Sequence, residues 1–261
     1  KTVAQYETLK SKLGGNYPYE ILRGNALRRE EPHLGPKVAA AILHHQDGHT
    51  NPLRLLVALA DGVRKRGGRV VNGRRVVEAA KPDGFRLTCD DGTVIEAGKV
   101  VVTAGLGAAQ IGPQLGFRAP VRPQRGQVLI TEKLPKMINR PSLIARQVDE
   151  GGIQIGATNE EVGHDDRVTT PGVAHLAAEA VAAYPFLARA QLVRSWAALR
   201  ILTPDGLPIY QQSREMPGAY LVTCHSGITL SAAHARFLPE WLDATEAAPN
   251  LEVFSEDRFT L

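Results

Sequence analysis

The sequence has 261 residues, of which 43% are hydrophobic and 22% charged, and a formal net charge of +4. That is enough apolar material to bury a substantial core in one large domain or two modest ones, which excludes a disordered chain. Lysine and arginine are spread along the chain without a basic run, which excludes a nucleic-acid-binding tail and leaves charge silent about partners.

The two cysteines, Cys89 and Cys224, lie far apart, which argues against a disulfide framework or a thiolate metal site and points to a reducing compartment. The histidines do not fall at metal-ligand spacing either, and no metal is expected. No apolar run approaches the roughly 18 residues that span a bilayer, so no transmembrane segment is expected.

In chain order, Lys1 to Leu13 predicts an amphipathic helix with Val3, Tyr6, Leu9 and Leu13 at helical spacing. It carries no initiator Met or signal peptide, and the expectation is a chain whose beginning lies upstream of Lys1. Tyr19 to Leu34 predicts a charged helix ending near Pro32. A strand follows at Ala39 to His44, then a helix capped by Asn51 with Pro52 in its first position, stopping at Gly67-Gly68.

From Arg69 the period becomes strand-like. Strands are expected at Arg69 to Val71, Arg75 to Ala79, Phe85 to Cys89 and Thr93 to Glu96, forming a small antiparallel ribbon. The run from Lys99 to Thr103 reads as a strand buried on both faces of a parallel sheet. Further strands are expected at Val121 to Thr131, Ser142 to Gln147, Gly152 to Thr158, Val193 to Leu202, Leu207 to Gln211 and Ala219 to Cys224. One helix is expected at Val173 to Tyr184 and a last one from Gly227 to about Ala244. The fold class implied is mixed α/β and α+β, with an antiparallel substrate domain inserted into an α/β domain. The expected boundaries are 1–120, 121–202 and 203–261.

Four segments could carry chemistry. Gly105-Leu106-Gly107 follows a strand in "VVVTAGLGAAQ", where glycines let backbone amides approach a phosphate or ring. It looks like a dinucleotide fingerprint, but Gln110 stands where the third glycine would be, and a turn that merely needs small residues explains it equally. "RPQRGQ" sets Arg122 and Arg125 before Gly126, a cation beside a backbone bare enough to meet a planar ring, or else two surface arginines capping a strand. Arg200 sits in the apolar stretch "RSWAALRILTPDGLPIY", where a guanidinium needs an anion. The anion is a substrate carboxylate held by its fork, or Asp205 or a glutamate in an internal salt bridge. "AYLVTCHSGITLSAAHA" runs from an apolar strand into a helix whose first N–H groups and partial positive charge suit the N1–C2=O edge of a reduced flavin. Cys224 also reads as a small buried hydrophobe and His225 as a structural hydrogen-bonding residue. A Cys224-His225 hydrolytic pair is disfavoured because strand neighbours point to opposite faces.

Taken together, "EEPHL", "DGHTNP", "VVVTAG", "VRPQRGQ", "WAALRILTPDGLPIY" and "CHSGITLSAAHA" resemble, in this order, the D-amino acid oxidase family of FAD enzymes. The wording around Arg200 and His225, with the closing "FSEDRF", is similar to that of β subunits of opine and hydroxyproline dehydrogenases and of hydrogen cyanide synthase. The resemblance implies FAD as cofactor and a partial Rossmann-like FAD domain whose G-x-G-x-x-G strand-turn lies ahead of Lys1. It implies oxidation of a small amino acid, imino acid or opine-like secondary amine by hydride transfer to flavin N5, with no residue assigned to acid-base catalysis. Arg200 takes the role of carboxylate binder, with Tyr210 and His225 as further substrate contacts. Thr103, Ala104, Gly105, Arg125, Gly126, Gln127, Gly206, His225, Ser226, Gly227, Ile228 and Thr229 take the cofactor-facing roles. Expected partners are an amino-acid-like substrate and the other subunits of a heteromeric dehydrogenase, without nucleic acid, in the cytoplasm or at the inner membrane face. The rival readings are a non-catalytic subunit that keeps the fold and a reductase using Gly105 to Gln110 for NAD.

Overall fold

A computed structural model describes residues 2–259, so Lys1, and with it the start of the expected first helix, lies outside the described residues, as does the Val3 side chain. In chain order the elements are α1 (Thr2–Lys12), β1 (Tyr19–Arg23), α2 (Gly24–Glu30), β2 (Ala40–His44), α3 (Pro52–Lys65), β3 (Val76–Ala80), β4 (Phe85–Cys89), β5 (Val94–Ala97), β6 (Val100–Val102) and α4 (Ala108–Ile111). Then come β7 (Arg122–Lys133), β8 (Ala145–Gln147), β9 (Gly152–Gly156), α5 (Thr170–Ala183), β10 (Leu192–Leu202), β11 (Ile209–Gln212), β12 (Ala219–Thr223) and α6 (Gly227–Leu242). No helix among the described residues is long and apolar enough to cross a membrane.

The chain divides into two compact units. One contains residues 1–51, 126–160 and 166–198; the other contains 52–125, 161–165 and 199–261. This division differs from the boundaries read from the sequence, chiefly because residues 1–51 group with the antiparallel unit. β7 and β10 each have residues in both units.

The first unit is built on the strand order β10-β7-β9-β8, with β9 antiparallel to both β7 and β8. Alternation decides its faces: Gln127, Leu129 and Thr131 of β7 are buried, while Val128 and Ile130 are half-buried on the other side. Leu129, Ile153 and Ile155 pack with Leu176, Ala180 and Ala183 of α5 and with Tyr184 and Leu187 beyond it. α5 starts three residues before the expected Val173 because the Thr169 side chain accepts the Gly172 N–H at 3.3 Å, and Pro171 suits the first turn. The expected helix over Tyr19 to Leu34 is corrected to a strand followed by a short helix. Ile21 lies opposite Ile42 in the antiparallel β1–β2 pair, and that pairing outweighs local helix preference. α1 forms as expected, but Leu9 and Leu13 are exposed and its Tyr6 ring meets Tyr19 edge-on at 5.3 Å, so the predicted apolar stripe is not a core face.

The second unit carries a sheet of order β11-β12-β6 and a three-stranded antiparallel sheet β3-β4-β5. β12 is buried along its whole length because it is central, whereas Val101 of the edge strand β6 is 37% exposed. β6 is therefore not the doubly buried strand the apolar run suggested. Arg69 to Val71, expected as a strand, is irregular, with Val70 and Val71 exposed. Phe85, Val100, Val102, Leu115, Phe117, Ile209 and Leu221 form the core. α3 follows Pro52 as expected, and its Leu53, Leu56, Val57, Leu59 and Val63 are exposed, Leu53 to 73%.

Candidate functional site

The site is built at one edge of the second unit's β11-β12-β6 sheet. β12 runs parallel to β6, with Leu221 beside Val102, so the chain leaves both strands at the same edge. β11 is antiparallel to β12 and begins at Ile209 opposite Thr223, so the turn leading into β11 comes to that edge as well. Three backbone turns therefore gather there: Thr103 to Gly105, Thr203 to Pro208 and Cys224 to Gly227. The carboxyl end of a parallel strand pair is the customary ligand position in α/β sheets, because the loops and helix N-termini that follow the strands face the ligand there.

Each turn presents backbone where a side chain would obstruct. Gly105 has φ +59°, and a Cβ there would meet the Ile201 side chain at 3.2 Å, which puts the end of β10 against this turn. Gly206 has φ +77° and nothing within 4 Å of a Cβ position, and Gly227 has nothing nearer than the Cys224 sulfur at 3.9 Å. Ser226 holds a left-handed conformation, φ +62°, and makes no side-chain cap to α6, so the first turn of that sixteen-residue helix keeps unpaired N–H groups facing outward. Ser226, Gly227, Ile228 and Thr229 are exposed, and His225 is half-buried with its Nδ1 2.7 Å from the Ser226 hydroxyl. Bare backbone, outward N–H groups and a positive helix end fit the polar edge of an isoalloxazine ring, which gathers negative charge when reduced. Cys224 is half-buried and burial pushes its thiol pKa up, the opposite of an activated nucleophile.

Arg200 stands near the end of β10, half-buried, with Nη1 3.4 Å from the Gln124 amide oxygen. Gln124 in turn donates to Glu161 at 2.7 Å, and Arg122 pairs with the other oxygen of Glu161. Burial lowers the Arg200 pKa, so its charge is partly stripped of water. Asp205, the salt-bridge alternative named for Arg200, is held by another cation: Arg258 donates from Nε and Nη2 to its two oxygens at 2.8 and 3.0 Å.

Arg125 is buried against Asp165 at 3.1 Å. Gly126 and Gln127 belong to the first unit, where the buried Gln127 amide donates to Glu160 and Thr169 and accepts from the Thr169 N–H. Tyr210 is buried, its hydroxyl 2.8 Å from His234 Nε2 and its ring set edge-on to Phe237, Trp241 and Phe254. That cluster seats α6 on the sheet and employs the Tyr210 hydroxyl. Arg258 and Gln124 were missed because only folding brings them to the Arg200 segment. No group of three or more potential metal ligands occurs among the described residues.

The hydrogen bond from Arg258 is the first cause that holds the Asp205 carboxyl down at about 2, below its unfolded value near 4. A carboxyl depressed on folding stabilises the protein fully above its unfolded pKa and loses that contribution as pH falls toward the folded one. Urea midpoints of the wild type and Asp205→Asn are therefore expected to differ most at pH 5 and above, and the difference is expected to shrink steadily as pH falls from there toward about 2.

Turns gathered at the carboxyl ends of a parallel strand pair define a ligand-binding α/β protein. The FAD dependent oxidoreductase family (DAO) matches residues 2–241, and the chain belongs to it. The chain is 36% identical over 257 residues to a subunit of the opine oxidase of Rhizobium meliloti, a match covering 97% of this chain and 68% of that one. It is 33% identical over 217 residues to the HcnC subunit of hydrogen cyanide synthase from Pseudomonas aeruginosa, covering 79% and 52%. The fold matches the crystal structure of glycine oxidase from Geobacillus kaustophilus with a TM-score of 0.88 at 24% identity, covering 97% of this chain and 70% of that one. The family membership read from the motifs stands, and with it FAD as the cofactor and the enzyme class.

Proposed function

We propose that this protein oxidises the C–N bond of a small amine that carries a carboxylate, an amino acid, imino acid or opine-like secondary amine, with Arg200 receiving the carboxylate. The observation that carries this reading is the partly desolvated Arg200 guanidinium on a strand end packed against the Gly105 turn, at the edge where Gly206 and Gly227 leave backbone bare. A planar fork matches a carboxylate through two parallel hydrogen bonds, so it fixes the orientation of the substrate as well as its presence. Bound FAD supplies a two-electron acceptor for the hydride leaving the carbon, and the imine product is hydrolysed by water. His225, Ser226 and the first N–H groups of α6 would stabilise the charged edge of the ring, while Thr103, Ala104, Gly105 and Gly206 would offer it backbone. The chain's task is orientation and electrostatics rather than proton transfer. Two of the relatives are named as subunits, which supports a heteromeric enzyme.

The test is turnover of the purified full-length flavoprotein with an artificial electron acceptor. The panel consists of proline, N-methylglycine and an N-carboxyalkyl amino acid, each beside its decarboxylated counterpart. Turnover confined to the carboxylates is expected. Equal turnover of the decarboxylated amines removes Arg200's role, and absence of any flavin absorption band favours a non-catalytic role for the chain.

A further inference from the structure

Arg258 lies in the C-terminal segment, yet its side chain is only 17% exposed and its guanidinium bonds the turn that follows Arg200. One edge of the fork takes both Asp205 oxygens, and Nη2 also reaches the carbonyls of Leu207 and Pro208 at 3.2 and 3.0 Å. The other edge, Nη1, donates to the carbonyls of Phe254 and Ser255 at 2.6 and 3.0 Å. The Phe259 ring lies 4.2 Å from the guanidinium carbon. A lysine has neither the fork nor the plane to repeat this pattern.

Both ends of this linkage are anchored. Glu256 is buried and accepts the backbone N–H groups of Arg118 and Ala119 at 3.0 and 2.9 Å, while Ser255 donates to the Gln211 amide oxygen at 2.5 Å. On the turn, Asp205 accepts the Leu207 N–H at 3.0 Å, and the buried Thr203 hydroxyl donates to the Leu207 carbonyl at 2.7 Å. The tip itself, Pro204 to Leu207, is exposed. An exposed tip with a glycine at positive φ samples many conformations unless something holds it. Arg258 ties it to a segment that is already docked on the core.

We infer that Arg258 is a positioning residue: from the C-terminal segment it holds the Thr203 to Pro208 turn, and so sets the Arg200 strand end and the Gly206 backbone for carboxylate and flavin. This rests on the reading of Arg200 as carboxylate binder. A fork that only stabilised the fold would leave ligand discrimination unchanged, whereas a positioning fork alters it, because a site must be held to a fraction of an ångström to favour one anion.

The experiment uses the full-length flavoprotein with Arg258→Lys, Arg258→Met, Asp205→Asn, the Arg258→Met/Asp205→Asn double variant and Arg200→Met. Binding of acetate and of acetamide is read from perturbation of the flavin visible spectrum, free-flavin affinity is measured after cofactor removal, and thermal midpoints are recorded. Arg258→Met is expected to weaken acetate by about tenfold or more while acetamide changes little, with Arg258→Lys intermediate and the double variant no worse than the more affected single. Lowered thermal midpoints with unchanged acetate-over-acetamide preference and flavin affinity would overturn the inference. Should Arg258→Met fail to fold, Arg258→Lys and Asp205→Asn decide by the same criterion. If Arg200→Met itself leaves acetate binding unchanged, the carboxylate reading falls. If Arg200→Met abolishes it while the Arg258 and Asp205 variants do not, only the positioning role falls.

Discussion

Replacing Arg200 with methionine is expected to lower kcat/KM for a carboxylate-bearing amine by about 10²- to 10³-fold. The loss should appear mostly as a raised KM, with the decarboxylated counterpart nearly unaffected. The size follows from the cost of removing one partner of a partly desolvated charge pair, about 2–5 kcal/mol, at about 1.4 kcal/mol per decade. Methionine keeps much of the volume and the apolar stem, so the variant isolates the charge. Arg200→Lys should recover only part of the loss, because an ammonium keeps the charge without the fork. A kcat that falls alone, with KM constant, would mean that Arg200 acts only in the transition state rather than in binding.

Gly172→Ala is expected to destabilise the first unit by about 2–3 kcal/mol, opposite in sign to the same change in an ordinary exposed helix. Alanine normally gains about 1 kcal/mol over glycine within a helix, and Gly172 lies in α5 without a positive φ, so its backbone accepts a side chain. The obstacle is Gln127: a Cβ on Gly172 would overlap its Nε2 and sit 2.6 Å from its amide carbon. That amide is fully buried, donates to Glu160 and Thr169 at 2.7 and 2.9 Å, and accepts the Thr169 N–H at 2.8 Å. It cannot swing aside without breaking the cap of α5. In a Gln127→Ala background the Gly172→Ala change should cost little or stabilise, and urea denaturation of the four proteins measures the coupling. Additive losses would show that the two residues do not constrain each other.

Gln127 also illustrates where sequence reading stops. Nothing local in "RPQRGQ" reveals that the Gln127 amide is bonded to the residue capping a helix more than forty residues later. Tyr210 is a similar case, since its hydroxyl partner His234 lies on α6 and only the packing of that helix over β11 brings them together. Tyr19 to Arg23 reads as helix from its sequence because a five-residue strand has little identity until β2 pairs with it.

Local chemistry therefore determined a good deal by itself. Pro52 at a helix start, the glycines after β6 and before α6, and the apolar run of β12 each act through their own backbone or their nearest neighbours, so order and type of most elements could be read directly. The family motifs around Arg200 and His225 were legible for the same reason, being contiguous. Tertiary structure alone decided which edge gathers the three turns, because that depends on β12 running parallel to β6 and antiparallel to β11. It also decided the partner of Asp205. Nothing in the spacing links residue 205 to residue 258, and the ion pair between them forms where Glu256 and Ser255 dock the C-terminal segment on Arg118, Ala119 and Gln211.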